Sequence, residues 1–367
     1  MTAPRYTKLV QGLSGTVPFV GPETQERALG APFKARIGAN ENVFGPSPAA
    51  IEAMQDAVTQ SWMYGDPENY RLKLALAEYH DVAPENIVVG EGVDSLLGYL
   101  VRMIVDEDTP VVTSLGAYPT FNYHVEGFGG VLCTVPYSND AEDPESLLDL
   151  ARRKNSPLIY FANPDNPMGT WHDATTIQQL IDDVPGDSLL CLDEAYIEFA
   201  PPGTAPLLDV SNPNVIRFRT FSKAYGMAGA RVGYGIAEAG LAQSFNKVRN
   251  HFGVNRIAQA GALAALADQD YLIDVQSRVA RARQRVADIA RHNGFDALPS
   301  ATNFVAVDCG RDRAYASSVL QGLISNGVFV RMPYVAPQDR CIRVSVGTGV
   351  HLDLLESVLP RVIAGTG

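Results

Sequence analysis

From residue 87 onward the chain alternates short, uninterrupted apolar runs with stretches in which apolar residues recur every three or four positions. "NIVVG" precedes "DSLLGYLVRMIV", "PVVTS" precedes "PTFNYHVEGFG", and "PLIYFA" precedes "DATTIQQLIDDV"; "SLLCLD" and "NVIRFRTFS" follow. Continuous apolar runs suit strands buried on both faces, and the amphipathic segments suit helices that cover them. The pattern predicts an α/β fold with a mostly parallel central sheet flanked by helices. Residues 1–45 read as an irregular arm, and a helix is expected over roughly 48 to 60. From about 255 a long helical stretch, "RIAQAGALAALADQDYLIDVQSRVARARQRVADIARHNGF", gives way to the strand-like pieces "NFVAVDC", "VFVRM" and "IRVSV". This predicts a large domain over 46–254 and a smaller α+β domain over 255–367, with 1–45 as an arm belonging partly to the small domain.

Composition narrows the class. A chain of 367 residues exceeds the size at which one hydrophobic core stops growing, about 250–300 residues. A formal charge of −12 repels nucleic acid and anionic membrane surfaces, and no basic patch offsets it. Cys133, Cys191, Cys309 and Cys341 are widely spaced, so they signal neither a metal site nor a disulfide framework. With no secretory leader and no long apolar span, a cytoplasmic protein is expected.

Ligands of open parallel sheets bind beyond the carboxyl ends of the strands, and those ends carry the chemistry here. "NIVVG" runs into the turn "GEGVDS", "PVVTS" ends near Tyr118, "PLIYFA" leads to Asn166, "SLLCLD" ends in Asp193 with Tyr196 beyond, and "NVIRFRT" ends at Thr220, Ser222 and Lys223. Each residue alone also fits a cap, a turn or a solvated surface. Together they suit a phosphorylated aromatic aldehyde, pyridoxal phosphate. A desolvated Lys223 beside Arg231 would favour the neutral amine needed for a Schiff base. Asp193 would pair with a protonated pyridine nitrogen, while Asn166 and Tyr196 could bond the ring oxygen. The backbone at "GVDS", the Thr220 and Ser222 hydroxyls and Arg231 could take the phosphate.

In these motifs and their order the chain resembles fold-type I aminotransferases of class I/II, and most of all the histidinol-phosphate aminotransferase branch. "GANENVFGP" resembles an NENP-type motif, "YGDPENYRLKLALAEY" a YPDP segment, and "NPDNPMG" the NPNNPTG motif. "LDEAYIEF" and "SKAYGMAGARVGYG" match closely, and "IRVSVGT" resembles the C-terminal arginine motif. The resemblance implies a seven-stranded-type central sheet, pyridoxal 5'-phosphate as cofactor and Lys223 as the Schiff-base lysine that also shuttles the substrate proton. It makes Asp193 the ring-nitrogen partner, with Asn166 and Tyr196 on the ring oxygen. Gly92, Val93, Asp94, Thr220, Ser222 and Arg231 form the phosphate cup, and Tyr118 stacks on the ring. Tyr64 is implied to cross a homodimer interface to the neighbouring cofactor, and Asn42, Arg331 and Arg343 to contact substrate.

The implied reaction moves an amino group from an amino acid or histidinol phosphate to a 2-oxo acid such as 2-oxoglutarate. Aromatic amino-acid transamination and decarboxylation of a phosphorylated amino acid are rival readings on the same scaffold. A cofactor-binding regulator would need a DNA-binding module, and none is visible. A dinucleotide-binding dehydrogenase would need a full GxGxxG, and "GEGVDS" lacks its third glycine. Met168, Gly65 and Val43 depart from the family pattern without removing a catalytic atom. The segment "LVQGLSGTVPFVGPETQERALGAPF" stands where such enzymes often close over substrate.

Overall fold

The structure is a computed structural model that describes residues 4–15 and 20–366. Seven strands form the central sheet: β1 (Ile87–Gly90), β2 (Pro110–Ser114), β3 (Val131–Val135), β4 (Leu158–Ala162), β5 (Leu189–Asp193), β6 (Val215–Thr220) and β7 (Gly233–Ala237). Their spatial order is β1-β7-β6-β5-β4-β2-β3. Only β7 runs against its neighbours, and every other pair is parallel. β4 and β5 are buried at every residue, as their unbroken apolar runs require.

Helices cover both faces. Leu96, Leu97, Leu100, Val101 and Phe121 pack on one side with Phe218 of β6. Leu147, Leu148, Ile177 and Leu180 pack on the other with Leu190 and Leu192 of β5. Local chemistry sets where these helices begin. The Asp143 and Asp173 carboxylates accept from the backbone N–H groups of Ser146 and Thr176 at the starts of Pro144–Lys154 and Ala174–Asp182, which satisfies donors that a helix leaves open. The helix expected over roughly 48 to 60 runs Pro48–Val58, with proline at its first turn and Ser47 as its cap, but the arm before it is not irregular throughout: it carries helices at Lys8–Gly12 and Pro22–Leu29.

The C-terminal third builds an antiparallel sheet of β8 (Asp296–Ala297), β9 (Phe304–Asp308) and β10 (Cys341–Ser345), in the order β10-β9-β8. The long helical stretch is two helices, Arg256–Ala267 and Gln269–His292, separated at Asp268, whose side chain caps the second. The arm at the other end of the chain joins this part of the molecule: Ala35 and Arg36 pair in parallel with Val328 and Phe329. No helix among the described residues is long and apolar enough to cross a membrane.

Where the central strands β5 and β6 end lies a buried ion cluster. Glu194 accepts from Arg217 at 2.5 Å and from Arg219 at 2.9 Å. Burial alone would raise its pKa, but the two guanidiniums outweigh that and hold it below the ordinary range. Glu194→Gln would leave two buried arginines without their shared anion, so it should lower the unfolding free energy by about 3 kcal/mol. Urea denaturation checks this, and a loss below about 1 kcal/mol would mean that water already screens the cluster.

Candidate active site

A cavity of about 610 Å³ opens at the carboxyl ends of the strands, between the central sheet and β10. Its walls bring together Asp94, Tyr118, Asn166, Asp193, Tyr196, Thr220, Ser222, Lys223, Arg231, Arg331 and Arg343 from seven separate segments of chain.

Lys223 lies just past the end of β6. Its Nζ donates to the Asn40 carbonyl at 3.1 Å and sits 5.3 Å from the centre of the Tyr196 ring. Burial, then Arg343 and Arg231, push its pKa down to about 8, which makes roughly a fifth of the amine neutral near physiological pH, far more than an ordinary lysine offers. Arg343 therefore acts on it more strongly than Arg231, the neighbour suggested by sequence proximity.

Asp193 is only 6% exposed. Its oxygens accept from the Tyr160 hydroxyl at 2.7 Å and the Ala195 N–H at 2.9 Å. Both donors are neutral, and burial holds its pKa above the ordinary range. Tyr196 accepts from Asn40 Nδ2 at 3.0 Å and stands edge-on to Phe304, with burial raising its pKa to about 12. Asn166 accepts from Arg343 Nη1 at 2.5 Å, and Arg343 Nη2 reaches the Gly38 carbonyl at 3.3 Å.

At the other end, Gly92 precedes the helix Val93–Ile104, whose open N–H groups favour an anion. Gly92 has φ +84°, and a Cβ there would lie 2.5 Å from Arg231 Nη2, so backbone and guanidinium approach as only glycine permits. Arg231, itself in the left-handed region at φ 59°, donates to Ser222 Oγ at 3.3 Å and to the Ala228 carbonyl at 2.9 Å. Ser222 N–H in turn donates to Thr220 Oγ1 at 3.0 Å. The Asp94 side chain turns instead to His124, 3.3 Å away.

Two expected site residues lie elsewhere. Asn42 does not line the cavity: its Nδ2 donates to the Ala224 carbonyl and its Oδ1 accepts from the Phe44 N–H, so it ties down its own loop. Tyr64 is 78% exposed, with its ring 4.8 Å from that of Phe252. Within one chain it does not reach the cavity. The N-terminal segment does reach it, since the Val20 carbonyl accepts from Arg331 Nη2 at 3.0 Å; Thr16, Val17, Pro18 and Phe19 fall outside the described residues.

Packing accounts for two departures from the family pattern. Met168 is fully buried against Ala306 and Cys341 of the C-terminal sheet. At Gly65 a Cβ would lie 2.7 Å from the Val254 carbonyl, so a proline ring has no room.

Sequence reasoning missed Asn40 and Tyr160. Asn40 bridges Tyr196, Lys223 and Ser345. Tyr160 is a polar-tipped residue two positions from the end of an apolar strand, and because Ala162 pairs with Asp193 across the sheet, that spacing puts its ring on the same face as the carboxylate.

The aminotransferase class I and II family model matches residues 34–362. The chain belongs to that family. Over 350 residues it is 33% identical to histidinol-phosphate aminotransferase 2 of Carboxydothermus hydrogenoformans, covering 94% of this chain and 95% of the other. It is 34% identical to the histidinol-phosphate aminotransferase of Anaeromyxobacter sp. over 359 residues, covering 96% and 98%. The crystal structure of histidinol-phosphate aminotransferase from Sinorhizobium meliloti in complex with pyridoxal-5'-phosphate superposes with a TM-score of 0.97 at 52% identity, covering 100% of this chain and 99% of that one.

This aminotransferase's cavity fits pyridoxal phosphate on its own geometry. It offers a depressed lysine amine, a buried carboxylate with no ion-pair partner among the described residues, and a helix start where glycine leaves room beside a guanidinium.

Two outcomes follow. Capture of pyridoxal phosphate by the cofactor-free protein should accelerate up to about tenfold per pH unit towards pH 8 and level off above, because only the neutral amine adds to an aldehyde. A flat stopped-flow profile between about pH 7 and 9 would exclude Lys223 as the group that titrates. Gly92→Ala should weaken cofactor binding about tenfold or more by closing the anion pocket, read by fluorescence titration with the melting temperature as control.

Proposed function

We propose that this aminotransferase takes the amino group of histidinol phosphate, or of an amino acid, and passes it to a 2-oxo acid such as 2-oxoglutarate. The observation that carries the reading is the pair Arg331 and Arg343 lining one end of the cavity, held side by side by backbone bonds of 3.2 and 2.6 Å between their segments. Two guanidiniums side by side suit a doubly charged phosphate, and either suits a carboxylate. The histidinol-phosphate aminotransferases that this chain resembles support the same substrate.

When bound, the cofactor supplies an aldehyde that exchanges one amine for another and a ring that delocalises the electron pair left when a substrate C–H bond is broken. The rest falls to the chain. Lys223 would hold the aldehyde, and its Nζ, once free, would be the base that takes the proton from the substrate α-carbon. Asp193 keeps the ring nitrogen protonated, and Tyr160, by donating to that carboxylate, favours its ionised form. Asn166 and Tyr196 would hold the ring oxygen, and Tyr118 would pack against the ring.

Gly92, Val93, Asp94, Thr220, Ser222 and Arg231 anchor the phosphate. Arg343 and Arg331 orient the substrate anion so that the reacting C–H bond faces Lys223.

The assembly we infer is a homodimer working in the cytoplasm, with Tyr64 reaching the neighbouring cofactor. Exposed aromatic surface around it supports this, since Trp62 is 81% exposed and Phe252 is half-exposed. The four cysteines are free thiols, as a reducing compartment favours. We divide the chain into an arm over 1–45, a cofactor-binding domain over 46–254 and a small domain over 255–367.

Adding histidinol phosphate, phenylalanine, tyrosine, leucine and glutamate singly to the loaded enzyme should bleach the visible cofactor band with the true donor alone or fastest, and yield the matching oxo product. Carbon dioxide release with no oxo product would replace transamination by decarboxylation. Lys223→Ala should retain bound cofactor and lose turnover by at least about a thousandfold, while Asp193→Asn should cost activity far more than occupancy. Substantial turnover in Lys223→Ala would overturn its role.

A further inference from the structure

Behind the Asn166–Arg343 contact lie two fully buried carboxyls, Asp165 and Glu142, which the reaction as derived above does not use. Asp165 Oδ1 accepts from the Tyr137 hydroxyl at 2.9 Å and Oδ2 from the Met168 N–H at 3.0 Å. Glu142 Oε1 accepts from the Ala162 N–H at 2.9 Å, and Oε2 lies 2.6 Å from Ser114 Oγ. Every donor is neutral, and neither carboxyl forms an ion pair among the described residues.

The charged and titratable groups facing this cluster come from every element around it. Tyr137 and Glu142 stand on the segments after β3, and Asp193 ends β5. His172 donates from Nε2 to the Glu142 carbonyl at 2.8 Å. Arg343 comes from β10, and its positive charge favours the ionised form of Asp165. Arg340 is taken up by Asp140 and Asp308.

Two anions cannot be kept cheaply in so dry a space with one cation nearby, and that cation already faces the substrate cavity. We propose that Asp165 is coupled to anion binding at Arg343: when a carboxylate or phosphate settles on that guanidinium, Asp165 takes up a proton. The proton comes from the buffer, no bond to substrate forms, and the side chain passes from carboxylate to carboxylic acid. The inference rests on Arg343 as the anion receptor.

The direction follows from charge. An ionised Asp165 partly cancels Arg343, and an arriving anion competes with it for the same positive field. Protonating Asp165 gives the whole field to the substrate. Burial first, against its hydrogen bonds and Arg343, places the Asp165 pKa at about 7, and burial together with Asp165 holds Glu142 well above the carboxylate range. Glu142 is therefore the standing acid, and Asp165 is the one poised to change. Anion affinity should fall as pH rises through 7. Asp165 lies outside the cavity wall, so it is a positioning residue that acts through Arg343.

The test is calorimetry on the enzyme loaded with pyridoxal phosphate. 2-Oxoglutarate, which carries no amine and does not turn over, is titrated at pH 7.5 in buffers of different ionisation enthalpy. Absorbance of the Lys223-bound chromophore separates out that group's own titration. A rise of one unit in the Asp165 pKa gives uptake of about half a proton per site. Asp165→Asn, the residue of the family motif, should abolish that uptake, whereas Glu142→Gln, a neutral mimic of the standing acid, should keep it.

Equal uptake in Asp165→Asn and the parent enzyme, or none in the parent, overturns the proposal. If Arg343→Gln leaves 2-oxoglutarate affinity unchanged, the reading of Arg343 fails instead. Should Asp165→Asn not fold, Tyr137→Phe removes a donor that favours the ionised form, so the pH of maximal uptake should move upward; an unmoved maximum also overturns the proposal.

Discussion

Asp193 is a carboxylate held away from water with only neutral donors to meet it, and the rest of the site is organised around that constraint. A buried anion without a cation is costly, so the group either takes a proton or waits for a positive partner. The Tyr160 hydroxyl and the Ala195 N–H lower the cost of the ionised form without cancelling its charge. That leaves a place for one cation, which a protonated ring nitrogen would satisfy. Lys223 meets the opposite constraint at the other side of the cavity, where burial and two arginines disfavour its own charge. One dry pocket thus disfavours charge at both points, leaving a carboxyl that needs a cation at one and an amine that gives up its proton readily at the other.

The adjacent residue shows what happens when such a carboxylate is given its cations from the protein. Glu194 has two arginines and sits among the structural ion pairs behind the sheet, while Asp193 has none and faces the cavity. Successive residues of an extended segment point to opposite faces, so one step along the chain separates a closed ion cluster from an open binding position. Rigidity in the first protects geometry in the second, because β5 and β6 carry both.

The strands and their functional ends were legible because unbroken apolar runs stop at polar residues, and such a boundary marks the edge of a buried sheet. β3 and β7 were not visible in that way: "VLCTV" is a sheet-edge strand exposed at two of its five residues, while "GYGIA" breaks its run with glycines, and the reversed direction of β7 is set by pairing on both sides rather than by any local signal. Lys223, Asn166, Tyr196 and Arg343 could be named because their neighbours in sequence carry recognisable turns. Asn40 could not, since its importance lies in touching Tyr196, Lys223 and Ser345, which are distant in the chain. Asn42 illustrates the converse, for a motif position two residues away turns into its own loop. The cavity's far wall was equally hidden, because Arg331 and Arg343 become neighbours only when their segments bridge.

That bridge has a consequence for how the two halves of the site cooperate. Arg343 lies on the C-terminal sheet but donates to Asn166 and to the Gly38 carbonyl, and Arg331 from the adjacent segment donates to Val20. Three separate stretches of chain therefore converge on two guanidiniums that are partly engaged before any substrate arrives. An incoming anion must compete with neutral carbonyl and amide oxygens, and charge gives it the advantage. Exchanging a weak neutral acceptor for a charged one would let these arginines stay ordered without an anion and still bind one strongly. The surrounding oxygens hold both guanidiniums in place without neutralising them.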